Sequence, residues 1–241
     1  MYTLEVIAFN IDDCKIIEAA GAHRIELCDN PADGGTTPSY GMIEAARKNT
    51  TIHLFPIIRP RGGDFFYSDE EFNIMLRDIE ICKNLGCDGV VTGMLKRDGT
   101  IPKKEVSKLV AKAYPLSVTF HRAFDRAANP QQAIADIIET GCERILTSGG
   151  FPTAEAGAAQ IASWIQAFGN AISFMPGSGI RSHNLTALIQ KTGALEYHSS
   201  ARRLVASNME YQNPNMSENM GFYRTDSNEI SSMLQRLKEN I

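Results

Sequence analysis

Eight short β-type runs alternating with helical stretches, a recurring helix–glycine–strand junction and a length of 241 residues predict an α/β fold, a (β/α)8 TIM barrel filling 1–241 as one domain. Strands that alternate with helices in this way build βαβ units and a parallel sheet. A closed barrel needs about 250 residues. Eight strands, seven intervening helices and a C-terminal helix suit it better than an open sheet.

In chain order the strands fall at 4–8, 24–28, 53–59, 89–95, 117–122, 144–148, 171–176 and 195–199. The helices lie between them at 11–20, 40–48, 69–85, 103–113, 130–139, 154–168 and 184–191, and the last covers 228–238. Three junctions share one grammar: Ala20-Gly21-Ala-His23, Leu85-Gly86-Cys87-Asp88 and Thr140-Gly141-Cys142-Glu143. A helix ends on a glycine that tolerates the left-handed conformation, and a strand starts two residues later. Residues 207–226 break the pattern, being rich in Asn, Met and Ser around Tyr211 and Tyr223. They are expected to form an irregular excursion over the barrel or onto a second subunit, with disorder as the alternative.

Composition excludes several classes. Apolar residues make up 43% and charged residues 22%, ordinary values for a globular chain with a large core. The net charge is −4 and no Lys/Arg cluster has the density of a nucleic-acid footprint, so no nucleic-acid partner is expected. No apolar run reaches the roughly 20 residues of a membrane span, and the N-terminus lacks the pattern of an export signal. Five cysteines, Cys14, Cys28, Cys82, Cys87 and Cys142, are odd in number and scattered. That is no disulfide framework, and a reduced, cytoplasmic protein is expected.

The strand ends carry the chemistry. Leu116-Ser-Val-Thr-Phe-His121-Arg122-Ala-Phe-Asp125 is an apolar run closed by an imidazole, a guanidinium and a carboxylate. Packing does not explain such an ending, because desolvating these groups without partners costs several kcal/mol. Ligands are met at the carboxyl ends of strands in these folds. Side-chain alternation gathers Glu26, Cys28, Arg59, His121, Thr147, His198 and Arg61 at the barrel mouth. His121 or His198 could then serve as general base, with Glu26 as partner or second acid/base, and the arginines as anion clamps.

Two glycine-rich turns bear on the ligand: Ser148-Gly149-Gly150 after strand six and Pro176-Gly177-Ser178-Gly179-Ile180 after strand seven. Backbone amides at such turns cradle anions, and barrels often bind phosphate after strands seven and eight. Ser148, Gly149, Gly177 and Gly179 are therefore candidate anion donors, alongside Arg59, Arg61 and Arg122, whose guanidinium forks suit carboxylates and phosphates. Tight-loop glycines and a salt-bridged rim loop are the plain alternatives. No CxxC, CxxxC or helical HxxxH is present, so no local metal motif exists. Cys28 alone is placed at the mouth; the other cysteines read as small buried hydrophobes.

Longer blocks resemble a known family. Arg24-Ile-Glu-Leu-Cys28, Gly34-Gly-Thr-Thr-Pro-Ser39, Ile58-Arg-Pro-Arg-Gly-Gly-Asp-Phe65, Thr119-Phe-His-Arg-Ala-Phe-Asp125, Arg144-Ile-Leu-Thr-Ser-Gly149 and His198-Ser-Ser-Ala-Arg202 look like the CutC copper homeostasis family, the barrel-forming one rather than the choline lyase sharing that name. The resemblance spans essentially the whole chain. It implies a cytoplasmic barrel, a homo-oligomer (dimer or tetramer), a link to copper tolerance and Cu(I) held through cysteines. Cys28 matches the family's strand-two cysteine and is the transferable metal ligand. Where many relatives carry further cysteines, this chain has Ile7-Ala8 and Phe66.

Three functions follow from these readings. The chain handles copper through Cys28; or it is an enzyme or sensor of a small phosphorylated or carboxylated metabolite; or its barrel serves assembly through 207–226.

Overall fold

The computed structural model describes residues 2–217 and 220–240 and has the expected architecture. Strands β1 (Thr3–Ala8), β2 (Arg24–Leu27), β3 (His53–Ile58), β4 (Gly89–Thr92), β5 (Ser117–Phe120), β6 (Arg144–Thr147), β7 (Ser173–Pro176) and β8 (Glu196–Ser199) run parallel in the order β7-β6-β5-β4-β3-β2-β1-β8. β7 and β8 lie side by side and bring the ring round. Helices α1 (Ile11–Ala19), α2 (Tyr40–Asn49), α3 (Asp69–Asn84), α4 (Lys103–Ala113), α5 (Pro130–Thr140), α6 (Ala158–Phe168), α7 (Ser182–Thr192) and α8 (Ser227–Glu239) surround it. The glycines of the three shared junctions, Gly21, Gly86 and Gly141, have φ of +86°, +77° and +87°. Each ends its helix in the left-handed conformation.

The core is a shell between sheet and helices. Leu4, Ile25, Leu54, Ile58, Phe120, Ile145 and Tyr197 point outward from the strands and are fully buried against Ile17, Ile43, Ile79, Leu109, Ile137 and Met233 of the helices. Burying each such side chain contributes about 1.5–3 kcal/mol. No helix among the described residues is long and apolar enough to cross a membrane.

Three expectations are corrected. Seven of the eight strands are shorter than read, so Cys28, Arg59, His121, Arg122 and Ser148 lie just past strand ends, in the loops of the C-terminal face. Helix α6 begins at Ala158, after a run of turns, rather than at residue 154. The stretch 207–226 is not wholly irregular. Its last part is β10 (Phe222–Thr225), paired antiparallel with β9 (Arg202–Val205); residues 218 and 219 lie outside the described residues.

Candidate functional site

The inside of the barrel carries charged side chains at its base, beside the apolar Phe55, Ile57 and Val91. Arg24 of β2 bonds Glu5 of β1 and, at 2.7 Å, Glu196 of β8. Arg144 of β6 reaches the same Glu196 at 2.6 Å and donates to Thr119 Oγ1 of β5 at 3.1 Å. Both guanidiniums lie over the Phe55 ring, at 5.0 and 6.0 Å. Barrel interiors are usually filled by branched apolar side chains; this one has a closed ionic layer instead. Thr119 belongs to that layer rather than to the mouth. Since Arg144 points inward, the period of two sends Leu146 inward and Thr147 outward, and Thr147 leaves the expected mouth set.

Above this layer sits a carboxylate–imidazole–carboxylate series. Glu5 Oε1 and His198 Nδ1 are 2.8 Å apart, and His198 Nε2 lies 3.6 Å from Glu26 Oε2. Register places them together, because β1 lies between β2 and β8, with Glu5 opposite His198 and Ile7 opposite Glu26. Burial alone would raise the Glu5 carboxyl, but Arg24 and His198 overcome it and bring it down to about 2. Burial pushes Glu26 up to about 7; His198 opposes the rise and the Glu5 charge adds to it. Burial also works against an imidazolium at His198, yet its bond to Glu5 and the charge of Glu26 hold it above its ordinary value. Glu26 is 3% exposed, and His198 Nε2, 3.6 Å away, is its ion-pair partner among the described residues.

Glu26 and His198 line a cavity of about 280 Å³ at the C-terminal mouth, together with Ile57, Arg59, Phe65, His121, Arg122, Gly179 and Arg202. His121 enters from the end of β5. Its Nδ1 accepts the Ala123 N–H at 3.2 Å, which places the ring proton on Nε2, a buried atom with no partner. Burial, with the Arg59 charge adding, pushes the imidazole down to about 3, so it stays neutral. Gly93 makes room for this ring: a Cβ there would fall 2.6 Å from His121 Nδ1.

Arg59 follows β3 and is 5% exposed. Its Nη1 donates to Asp33 O (2.6 Å) and Gly35 O (2.8 Å), its Nη2 to Gly63 O (2.9 Å), and it lies 4.9 Å from the Phe65 ring centre. Among the described residues no carboxylate lies within ion-pair distance, and its Nε is buried without a partner. The guanidinium is thus held by neutral groups, three carbonyls and the Phe65 ring with the Tyr67 phenol nearby, and its buried charge has no carboxylate, a costly state unless an anion joins it.

Other expected site residues are placed elsewhere. The cradle of Ser148 and Gly149 already holds an anion from within: the Asp125 carboxylate accepts from Ser148 N (3.0 Å), Ser148 Oγ (3.0 Å), Gly150 N (3.1 Å) and Thr147 Oγ1 (2.5 Å), while Gly149 N donates to Thr147 Oγ1. Gly177 N donates to Thr147 O at 2.9 Å and is no free donor; its lack of a side chain admits Leu146, 2.5 Å from where a Cβ would stand. Arg61 points away to Glu71 (2.6 Å) and Asp64 (2.9 Å), the rim ion pairs of the plain alternative. Arg122 lines the cavity while bonded to Asp125 and Ser148 Oγ, both at 2.8 Å. Cys28 lies behind the wall among Phe55, Ile57 and Val91, its thiol pushed well up by burial and by Glu26. Glu5, Arg24, Arg144 and Glu196 were not singled out as a network, although charged–apolar alternation in Leu4-Glu5-Val6, Arg24-Ile-Glu26-Leu27 and Glu196-Tyr-His198 signals an ionic interior wherever helices cover the other face.

A family model described as the CutC family matches residues 2–203. The chain belongs to the CutC family. A CutC family protein of Chromobacterium violaceum is 47% identical over 209 residues, covering 87% of this chain and 85% of that protein. The crystal structure of Streptococcus agalactiae CutC, a protein named for copper homeostasis, superposes with a TM-score of 0.79 at 33% identity, over 83% of this chain and 99% of that one. Phosphoribosyl anthranilate isomerase of Thermotoga maritima superposes with a TM-score of 0.64 at 10% identity, over 99% and 100% of the two chains. That likeness shows the shared barrel alone.

The donor set does not fit the Cu(I) that the family name suggests. Cu(I) favours thiolates and thioethers, and among the described residues no Cys or Met lines the mouth. One ligand atom each from Glu5, Glu26 and His198 lie within 4.8 Å of one another, a harder set. Glu5 is already bonded to Arg24 and His198, leaving only Glu26 and His198 Nε2 free to ligate.

Proposed function

We propose that this CutC family barrel binds a small carboxylated or phosphorylated metabolite at its C-terminal mouth and moves a proton on it. One observation carries the reading: the buried Glu26 carboxyl, 3.6 Å from His198 Nε2, and the His121 Nε2–H, buried without a hydrogen-bond partner, line one cavity. A carboxyl that titrates near neutrality suits a general base. A neutral imidazole N–H suits polarisation of a substrate carbonyl or stabilisation of the oxyanion that forms from it. Glu26, as the carboxylate, takes the proton next to that carbonyl and can return it to the substrate, while His198, oriented by Glu5, stabilises the carboxylate form of Glu26. Arg59 supplies the counter-charge for the substrate anion. The protein acts in the cytoplasm as a homodimer or tetramer.

The test is a melting-temperature panel with oxalate, phosphoglycolate and inorganic phosphate on the wild type, Glu26→Gln and His121→Ala. A ligand at about 100 times its Kd stabilises by about 2.7 kcal/mol. At least one anion raises the wild-type melting point, and His121→Ala loses that rise. Absence of any shift, or equal shifts in all three proteins, overturns the reading.

A copper role through Cys28 is the second reading, and the family name supports it. It requires Cu(I) retained against a chelator by the wild type and lost in Cys28→Ser. The buried thiol and the hard donors of the mouth favour the acid–base reading.

A further inference from the structure

The mouth cavity is not alone on this face. A larger groove of about 780 Å³ opens beside it over the loops that follow β3, β4 and β5, and Gly34, Arg59, Phe65 and Arg122 line both. Five cations, Arg59, Lys96, Arg97, Arg122 and Arg126, face two carboxylates, Asp33 and Asp64, so the lining carries a formal excess of three positive charges. Asp64 is paired with Arg61, 2.9 Å away and outside the groove, and Asp33 accepts from Asn30 Nδ2 at 2.7 Å. Among the described residues, Lys96, Arg97 and Arg126 make no ion pair and no side-chain hydrogen bond, although the Asp98 carboxylate in the same turn feels the Lys96 charge; Arg97 rests over the exposed ring of Phe66 at 5.1 Å. Unpartnered surface cations are ordinary one at a time. Three facing a single concavity, joined by a buried arginine that also lacks a carboxylate, focus a positive potential there.

We infer that the ligand is two-ended, with a small head in the mouth and a diphosphate-bearing tail in the groove. The position of the head rests on the acid–base reading; the groove's preference for a multiply charged tail rests on the groove alone. A diphosphate offers oxygens to several guanidinium forks at once, and it outmatches a single carboxylate where the cations are mounted on different loops. In the usual barrel phosphate site beyond strands seven and eight, Gly177 N is tied to Thr147 O and the neighbouring cradle is filled by Asp125, while Gly179 and Arg202 line the mouth that takes the head. The tail therefore lies on the other side of the mouth, in the groove.

Calorimetric titration with inorganic pyrophosphate, ADP and inorganic phosphate tests this on the wild type, the triple variant Lys96→Ala/Arg97→Ala/Arg126→Ala, and Glu26→Gln. Pyrophosphate and ADP bind the wild type at least about tenfold more tightly than phosphate. The triple variant loses at least about tenfold of that affinity with its melting point unchanged, and Glu26→Gln binds both as the wild type does. Pyrophosphate and ADP binding no tighter than phosphate, or a triple variant that binds like the wild type, overturns the inference. Loss of pyrophosphate binding in Glu26→Gln alone places the anion in the mouth, which removes the groove and leaves the acid–base reading standing. Groove binding that persists while the mouth panel shows no ligand removes the acid–base reading and leaves the groove.

Discussion

At the scale of single residues, the site depends on which atoms remain without partners. His121 has the same residue type as His198 but the opposite state: burial and Arg59 keep it neutral, while Glu5 and Glu26 favour the imidazolium of His198. Gly93 controls the first of these. A methyl group there collides with the imidazole, 2.6 Å from Nδ1 and 2.8 Å from Cε1, and Phe120 closes the other side. Gly93→Ala therefore turns the His121 ring out of the cavity and, as an overpacked position, destabilises the fold by about 1–3 kcal/mol. A denaturant midpoint and the anion-induced melting shift measure the two effects, and both should fall.

At the scale of elements, the sequence was most legible where a period had to be kept. The number and order of strands and helices, and the left-handed glycines at 21, 86 and 141, follow from hydrophobic pattern and turn chemistry. Strand ends were less legible, because a ladder stops where backbone partners stop and side chains do not record that. Cys28, Arg59 and His121 all lie near the C-terminal face, but only Arg59 and His121 line the mouth, and what each does there depends on loops from elsewhere. Arg59 is held by carbonyls at 33, 35 and 63, and Asp125, after β5, fills a cradle that follows the next strand, β6. Residues 222–225 were hidden for a similar reason, since β10 exists through pairing with β9. That hairpin is anchored by Asp13 of α1. The Asp13 carboxylate accepts the Thr225 N–H at 2.9 Å and an Asn10 Nδ2–H at 2.8 Å, while Asn10 Oδ1 caps the helix through Asp13 N. Asp13→Ala leaves a buried N–H at Thr225 unsatisfied and should cost about 1–3 kcal/mol, read from a urea midpoint. It also loosens Tyr223, whose ring lies 4.2 Å from the Arg202 guanidinium at the mouth.

At the scale of the whole molecule, a ring of helices and an apolar shell hold an ionic interior that stability alone does not require. Breaking one partner of a buried pair leaves an uncompensated charge, so Glu5, Arg24, Arg144 and Glu196 act as one unit that fixes the base of the site. This gives stability a definite dependence on pH. Glu26 binds its proton more tightly in the folded chain than at its ordinary value of 4.5, so its burial costs nothing below that pH and progressively more as pH rises through about 7. His198 is also raised; its stabilising contribution is present at low pH and lost as pH rises through its folded value. Both groups lower stability toward alkaline pH. Glu5, brought down to about 2, contributes above its ordinary value and fails only in acid. Glu26→Gln should therefore match the wild type near pH 4.5 and exceed it at pH 8 by a gap on the order of 3 kcal/mol, followed as melting temperature against pH.

The central claim is that Glu26 is a buried carboxyl poised to exchange a proton near neutrality beside His198. Carbon-13 NMR of protein labelled at the glutamate carboxyls measures this without knowing the substrate, the Glu26 resonance being the one absent from Glu26→Gln. The account predicts that this resonance titrates near pH 7. Titration in the ordinary carboxylate range, around 4.5, would contradict it.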